Sequence, residues 1–185
     1  MHLRRFKFCL LLVVFSAISF LGIRVCWSIS KKSGQRHPFK FMVTFGDSWT
    51  DDGLNLEKGD IYGFRSYSNG KVFPTYLALK LGIPEMNFAY GGAMSGMGNF
   101  DFRDPHWGIS WQIQQLLKMP NLDPAATLVL YQSGGANDIL KHQYNSTNIA
   151  MNNFSNLKNL TEEGFVYFLI LDVPDFTEYP TAKVS

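Results

Sequence analysis

Beyond residue 30 the sequence contains no cysteine, because both of its cysteines, Cys9 and Cys26, lie near the N-terminus. This absence excludes a disulfide framework and a cysteine-based metal site from the body of the protein. Positive charge is also scarce there. Four of the 17 Lys and Arg residues precede Lys31 and all 15 carboxylates follow it, so residues 31–185 carry 13 bases and a net charge of −2. A nucleic-acid surface needs a concentrated basic patch, and we therefore predict no nucleic-acid partner.

Long apolar runs are rare, and the longest covers residues 8–23, after three Arg or Lys residues within the first seven positions. With small residues following at Ser28 and Ser30, this layout predicts a secretory signal peptide over residues 1–30. Because the run is nearly as long as a membrane-spanning helix, an uncleaved membrane anchor through residues 8–23 is the alternative. Both interpretations predict a protein that is secreted or anchored in the secretory pathway.

Three acceptor motifs for N-glycosylation begin at Asn145, Asn153 and Asn159. Such motifs are used on lumenal or extracellular surfaces, which fits the predicted location. A chain this rich in asparagine contains one or two of them by chance, so the motifs support that location without proving it.

After a polar linker over residues 31–38, short apolar runs alternate with helical patterns, which is typical of an α/β domain, here over residues 39–185. We predict strands at Phe39–Phe45, Met86–Ala89, Thr127–Tyr131 and Phe165–Leu171, and helices at Pro74–Leu81, Ile109–Met119 and 139–163. The strands are continuous apolar runs, and the fourth is apolar enough to be covered on both faces, so the sheet is predicted to be parallel with helices on both sides. Residues 50–72 are predicted to form a long surface loop.

Three glycine-rich or polar clusters, Gly46–Ser48, Gly91–Gly98 and Gly134–Asp138, each follow a predicted strand. Ligands of parallel sheets bind at the carboxyl ends of the strands, so these clusters are expected to meet at one edge. A nucleotide-binding module is disfavoured, because residues 91–98 have neither the Gly-x-Gly-x-x-Gly spacing nor a Gly-Lys-Ser/Thr motif.

Each cluster contains a group suited to acyl transfer, although each also has a simpler interpretation. Ser48 is placed as a nucleophile just after a buried strand, or it belongs to an ordinary capping turn. The glycine pair Gly91 and Gly92 presents backbone N–H groups, or it forms a common strand-to-helix turn. Asn137 places an amide donor at the same edge, or it occupies a left-handed turn or a helix cap.

Together the clusters resemble three sequence blocks of the GDSL, or SGNH, hydrolase family. Phe45-Gly46-Asp47-Ser48, with Asp51 and Gly53, is similar to the first block, residues 87–93 to the second and residues 135–138 to the third. Residues 171–176 resemble the segment that follows in the plant and fungal lipase-like members. The resemblance covers about residues 41–180 and implies a three-layer α/β/α, flavodoxin-like fold.

The resemblance also implies hydrolysis of acyl or acetyl esters of lipids or carbohydrates, through an acyl-enzyme on Ser48. Ser48 and Gly92, rather than Gly91, would donate backbone N–H groups to the oxyanion, and Asn137 would donate its side-chain amide. Asp47 is expected to support the loop by hydrogen bonding. The partner is then a small or polymeric ester substrate, and this chemistry needs no cofactor or metal.

The family's fourth block, Asp-x-x-His, does not occur anywhere in the sequence. His2 and His37 precede the predicted fold, and His106 and His142 are expected to be surface residues, so no general base is found. The family fold has a fifth strand before that histidine, and we expect this chain to lack its last strand and helix. A catalytically inactive fragment or pseudoenzyme is therefore the alternative to an active hydrolase.

Overall fold

The computed structural model describes residues 37–54, 67–100, 106–141 and 145–173. The predicted signal peptide or anchor lies outside the described residues, as do His2, His142 and most of the linker. None of the helices in the described ranges is both long and apolar enough to cross a bilayer.

In the described part of the chain, four parallel strands form one sheet in the order β2-β1-β3-β4. Their bounds are β1 Phe41–Phe45, β2 Glu85–Asn87, β3 Thr127–Gln132 and β4 Tyr167–Leu171. β1 pairs with β2 on one side and with β3 on the other, so the direction of the strand order reverses between β1 and β3. In an open parallel sheet this point is where ligands bind, and the order is that of the flavodoxin-like arrangement. The predicted parallel α/β sheet is confirmed.

Helices pack on both faces of the sheet. They are α1 Phe73–Leu81, α2 Ile109–Leu117, α3 Ala136–Leu140 and α4 Ser146–Glu162, with a short 3₁₀ turn at Pro124–Ala126 before β3. Alternate strand residues point to opposite faces, so Val43 and Phe45 pack with α2 and α4, whereas Met42 packs with Ala78 of α1. The expected three layers are therefore present.

The prediction of a single helix over residues 139–163 is wrong, because two helices are found there. The first, α3, begins before that stretch and ends at Leu140, and the second, α4, covers Ser146–Glu162. The second of them, α4, begins after Asn145, whose side-chain oxygen accepts hydrogen bonds from the backbone N–H groups of Thr147 and Asn148. Such an asparagine satisfies N–H groups that have no partner within the helix, so it starts a new helix rather than continuing an old one.

Three further expectations need correction. β4 is half-buried along its whole length rather than covered on both faces. The first part of the predicted surface loop is buried, since Thr50, Asp51 and Gly53 lie inside the fold. His37 does not precede the fold: its ring nitrogens lie 2.7 Å from the carbonyl oxygen of Phe39 and 2.8 Å from that of Leu81, at the end of α1.

Candidate active site

Three loops meet at the carboxyl ends of β1, β2 and β3, as predicted. The first loop covers residues 46–53, the second residues 91–98 and the third residues 134–138. Hydrogen bonds join the loops directly. Gly91 N–H of the second loop donates to Asp51 Oδ2 of the first loop at 2.7 Å, and the second loop is joined to the third through Asp138. The Asp138 carboxylate accepts hydrogen bonds from both the backbone N–H and the hydroxyl of Ser95, at 2.9 and 2.7 Å.

The first loop is a tight turn built on Asp47. The carbonyl oxygen of Asp47 accepts hydrogen bonds from the backbone N–H groups of Thr50 and Asp51. Its carboxylate accepts from Trp49 N at 3.1 Å and from Gln132 Nε2 at 2.8 Å. Burial raises the pKa of Asp47, although these two hydrogen bonds act in the opposite direction. Asp47 thus supports the loop by hydrogen bonding, as the sequence predicts.

Ser48 lies half-buried at the top of this turn. In the part of the chain that the structure describes, neither its hydroxyl nor its backbone N–H has a hydrogen-bond partner. The N–H groups on either side are both engaged: Asp47 N donates to Gln132 Oε1 at 3.3 Å, and Trp49 N donates to Asp47 Oδ1. The turn therefore leaves both polar groups of Ser48 available to a ligand.

The two glycines of the second loop also differ in whether their backbone N–H groups are hydrogen-bonded. Gly91 N donates to Asp51, and Ala93 N donates to the carbonyl oxygen of Tyr90 at 3.0 Å. Gly92 N, which lies between them, has no partner among the described residues. Gly92 has a φ of +76°, in the left-handed region that a residue with a side chain rarely adopts.

Asn137 lies in the first turn of α3 and is buried. Its side-chain Nδ2 donates to Ala93 O at 2.9 Å and lies 3.5 Å from Asp47 Oδ2. The amide of Asn137 therefore lies between the residue after Gly92 and the residue before Ser48. The structure brings together the three residues that the sequence singled out.

The described histidines lie away from the Ser48 hydroxyl, which neither of them contacts. His37 lies near the amino end of β1, at the opposite end of the sheet. His106 is exposed, and its ring makes an edge contact with Trp111 at 6.4 Å between centroids. Within the described residues, Ser48 is thus in contact with neither histidine.

Sequence reasoning missed a set of carboxamide side chains beneath the loops. Gln112 Nε2 donates to Gly46 O at 2.8 Å while its Oε1 accepts from Gly46 N at 3.0 Å. Gln132 contacts both Asp47 and the Thr50 hydroxyl. The signal for Gln112 was its position on the apolar face of α2, beside Ile113 and Leu116, where an uncharged polar residue needs a buried partner.

A parallel α/β sheet with a serine, a paired glycine and an asparagine on the loops at the carboxyl ends of its strands is the arrangement expected of the GDSL class. The chain belongs to the GDSL-like lipase/acylhydrolase family, whose model matches residues 42–180. It is 26% identical over 152 residues to the thermolabile hemolysin of Vibrio parahaemolyticus serotype O3:K6 (strain RIMD 2210633). That match covers 78% of this chain and 36% of the hemolysin, so the chain spans about a third of that relative's length.

Proposed function

We propose that this protein is a serine ester hydrolase in which the Ser48 hydroxyl attacks the carbonyl carbon of an acyl or acetyl ester. The observation that carries the proposal is the pattern of free N–H groups. Those of Ser48 and Gly92 have no partner among the described residues, although the N–H groups of their immediate neighbours on both sides are hydrogen-bonded. Two free donors beside a free hydroxyl are what an oxyanion site requires.

The reaction then follows from these groups. Ser48 Oγ forms a bond to the ester carbonyl carbon while its proton passes to a water molecule, and the π electrons of the carbonyl move to its oxygen, which becomes an oxyanion. The N–H groups of Ser48 and Gly92 donate to that oxygen. When the tetrahedral species collapses, the alcohol leaves with a proton and the acyl group stays on Ser48. Water then attacks the acyl-enzyme and releases the acid.

Asn137 is the third proposed donor. Its Nδ2 carries two hydrogens, of which one is held by Ala93 O at 2.9 Å. The other points toward Asp47 Oδ2 at 3.5 Å, a distance at which a hydrogen bond is weak. That hydrogen is therefore the one that is available to an oxyanion while the bond to Ala93 O is kept.

The alternative is an inactive fragment or pseudoenzyme, and one observation favours it. The sequence has no Asp-x-x-His, and within the described residues the Ser48 hydroxyl has no basic partner. Without a base, the serine protease template keeps only ~10³–10⁴-fold of its rate enhancement over water, from binding and the oxyanion site. The two proposals therefore differ by several orders of magnitude in expected rate.

The proposed substrate is an ester of a lipid or of a carbohydrate, and the rim of the site favours an apolar acyl chain. Trp49, which directly follows Ser48 in the chain, is 51% exposed. The relative named a hemolysin is consistent with a lipid substrate. We further propose that the protein acts in the secretory pathway or outside the cell, on the strength of its N-terminal segment and its glycosylation motifs.

The test is turnover of chromogenic acetate and octanoate esters, compared between the wild type and Ser48→Ala. Ser155→Ala, which changes an exposed serine on α4, is the matched control. Turnover that is lost only in Ser48→Ala supports the hydrolase, and a faster rate on octanoate supports the lipid substrate. Equal rates for wild type and Ser48→Ala would remove Ser48 from the mechanism. No turnover by the wild type, together with no labelling by a fluorophosphonate probe, would establish the inactive alternative.

A further inference from the structure

Helix α4 presents three asparagine side chains to the loops of the site. Asn156 is 3% exposed, and its Nδ2 donates to the carbonyl oxygen of Ser95 at 3.1 Å. Asn152 Nδ2 donates to the hydroxyl of Ser95 at 3.0 Å. These two residues bind the second loop, and the third, Asn153, binds the third loop. Asparagine is a poor helix former, so its repeated use on one side of α4 needs a reason other than helix propensity.

Asn153 binds both polar groups of a single residue of the third loop. Its Oδ1 accepts a hydrogen bond from Gly134 N at 2.9 Å, and its Nδ2 donates to Gly134 O at 2.8 Å. The remaining hydrogen-bonding capacity of the Asn153 amide is used as well. Tyr131 OH donates to Oδ1 at 2.7 Å, and Nδ2 also donates to Ile149 O at 3.0 Å. The Asn153 amide thus bonds to the N–H and the C=O of Gly134 as the backbone of a neighbouring strand would.

The opposite side of Gly134 is also fixed. A Cβ atom at this glycine would lie 2.8 Å from the Cβ of Ser95, so the backbone of the third loop is in direct contact with the second loop. Gly134 is therefore held between Asn153 and Ser95. Asn137 follows three residues later, and its amide position depends on where this backbone lies.

We propose that Asn153 is a positioning residue of the active site, which holds the third loop so that the Asn137 amide faces the space beside Ser48. This inference rests on the proposed function. Asparagine is the side chain that fits, because aspartate keeps the acceptor for Gly134 N but loses both donated bonds, and glutamine is one methylene longer. Gln112 does the same for Gly46 in the first loop, which shows that both loops are anchored in one manner.

The experiment compares Asn153→Ala with Asn148→Ala, an exposed asparagine on the same helix. The proteins are made in a bacterial cytoplasm, so that no acceptor motif is glycosylated. Hydrogen exchange is measured for the amides of residues 134–138, and kcat and KM are measured on the best chromogenic ester. We expect faster exchange and a kcat about 10²-fold lower in Asn153→Ala, the cost of a small misplacement of a catalytic group, with KM nearly unchanged. Asn148→Ala should match the wild type in both measurements.

Two results would overturn the proposal: exchange over residues 134–138 equal to that of Asn148→Ala, or faster exchange with an unchanged kcat. A purely structural role predicts the second result, because the folded fraction would keep its turnover number. If Asn153→Ala does not fold, Asn153→Asp takes its place, with the same expectations and the same contradicting results. If the wild type hydrolyses no ester, the proposed function fails, and a catalytic positioning role fails with it. The exchange measurement then decides only whether Asn153 anchors the loop.

Discussion

Gln112 pairs with Gly46 through two hydrogen bonds, from Nε2 to Gly46 O at 2.8 Å and from Gly46 N to Oε1 at 3.0 Å. Gln112 is fully buried, so no water can replace these bonds. Removing the side chain leaves Gly46 N without a partner, which costs about 1–3 kcal/mol, and Gly46 O loses one of its two hydrogen bonds, at about 1 kcal/mol, since it still accepts from Tyr90 N at 3.2 Å.

We therefore expect Gln112→Ala to lower the free energy of unfolding by about 2–4 kcal/mol, measured by urea denaturation. Gln114→Ala on the exposed face of α2 is the control and should change it by less than about 0.5 kcal/mol. Equal stabilities for the two variants would mean that Gln112 does not hold the first loop.

Asn137→Ala tests the third donor of the proposed oxyanion site. Loss of one such donor typically lowers kcat by ~10²–10³-fold. We expect that reduction with a nearly unchanged KM, because the bond to the oxygen strengthens only as charge develops on it. Steady-state kinetics on a chromogenic ester measures both constants, with Asn148→Ala as control. A change confined to KM would assign Asn137 to substrate binding instead.

The raised pKa of Asp47 predicts a pH dependence of stability. Burial is the main cause, and the carboxyl group therefore holds its proton more tightly in the folded state than at its ordinary pKa of 3.8. As the pH rises from 3.8 through the higher folded pKa, the unfolded chain loses this proton first, so the contribution of Asp47 to stability falls across that window. Above the folded pKa it stays constant.

Urea denaturation from pH 4 to pH 7 checks this prediction. The stability of the wild type relative to Asp47→Asn should fall as the pH rises, because the amide cannot ionise. Asp172→Asn, at an exposed carboxylate, is the control. A difference between wild type and Asp47→Asn that does not vary with pH would contradict the assignment.

The three glycosylation motifs are expected to differ in use. Asn145 and Asn159 are exposed, and the N-cap bonds of Asn145 use its oxygen, which leaves Nδ2 available. In Asn153 both hydrogens of Nδ2 are donated, to Gly134 O and Ile149 O, and a glycan on that nitrogen would replace one of them. We predict glycans on Asn145 and Asn159 and none on Asn153.

Glycopeptide mapping by mass spectrometry, after expression in a eukaryotic host with the native N-terminal segment, measures the occupancy. Ser155→Ala destroys the motif at Asn153 without touching its amide, so it should leave the mass of the secreted protein unchanged apart from the substitution. A glycan found on Asn153 in secreted, folded protein would contradict the prediction. A chain that carries no glycan at all would contradict the secretory location instead.

Much of this arrangement follows from local patterns that the sequence displays. The apolar runs located the four strands, Gly82 and Pro74 marked the two ends of α1, and the polar clusters after the strands located Ser48, Gly92 and Asn137. The pairing partners of Gln112 and Asn153 could not be predicted, because a carboxamide at a helical position has the same appearance whether it faces solvent or a loop. The distance of these partners along the chain, 66 and 19 residues, carries no local signal.

The register of the sheet also bears on how the protein folds. Phe41 of β1 lies opposite Thr127 of β3, 86 residues further along the chain. The two strands are far apart in the chain, and a long segment must lose its conformational freedom before their pairing yields any stability. The same pairing brings the first and third loops together. During refolding, β1 and β3 should therefore pair slowly and late, and a working site should appear at the same time. Partial unfolding that separates β1 from β3 should abolish turnover before most helices are lost.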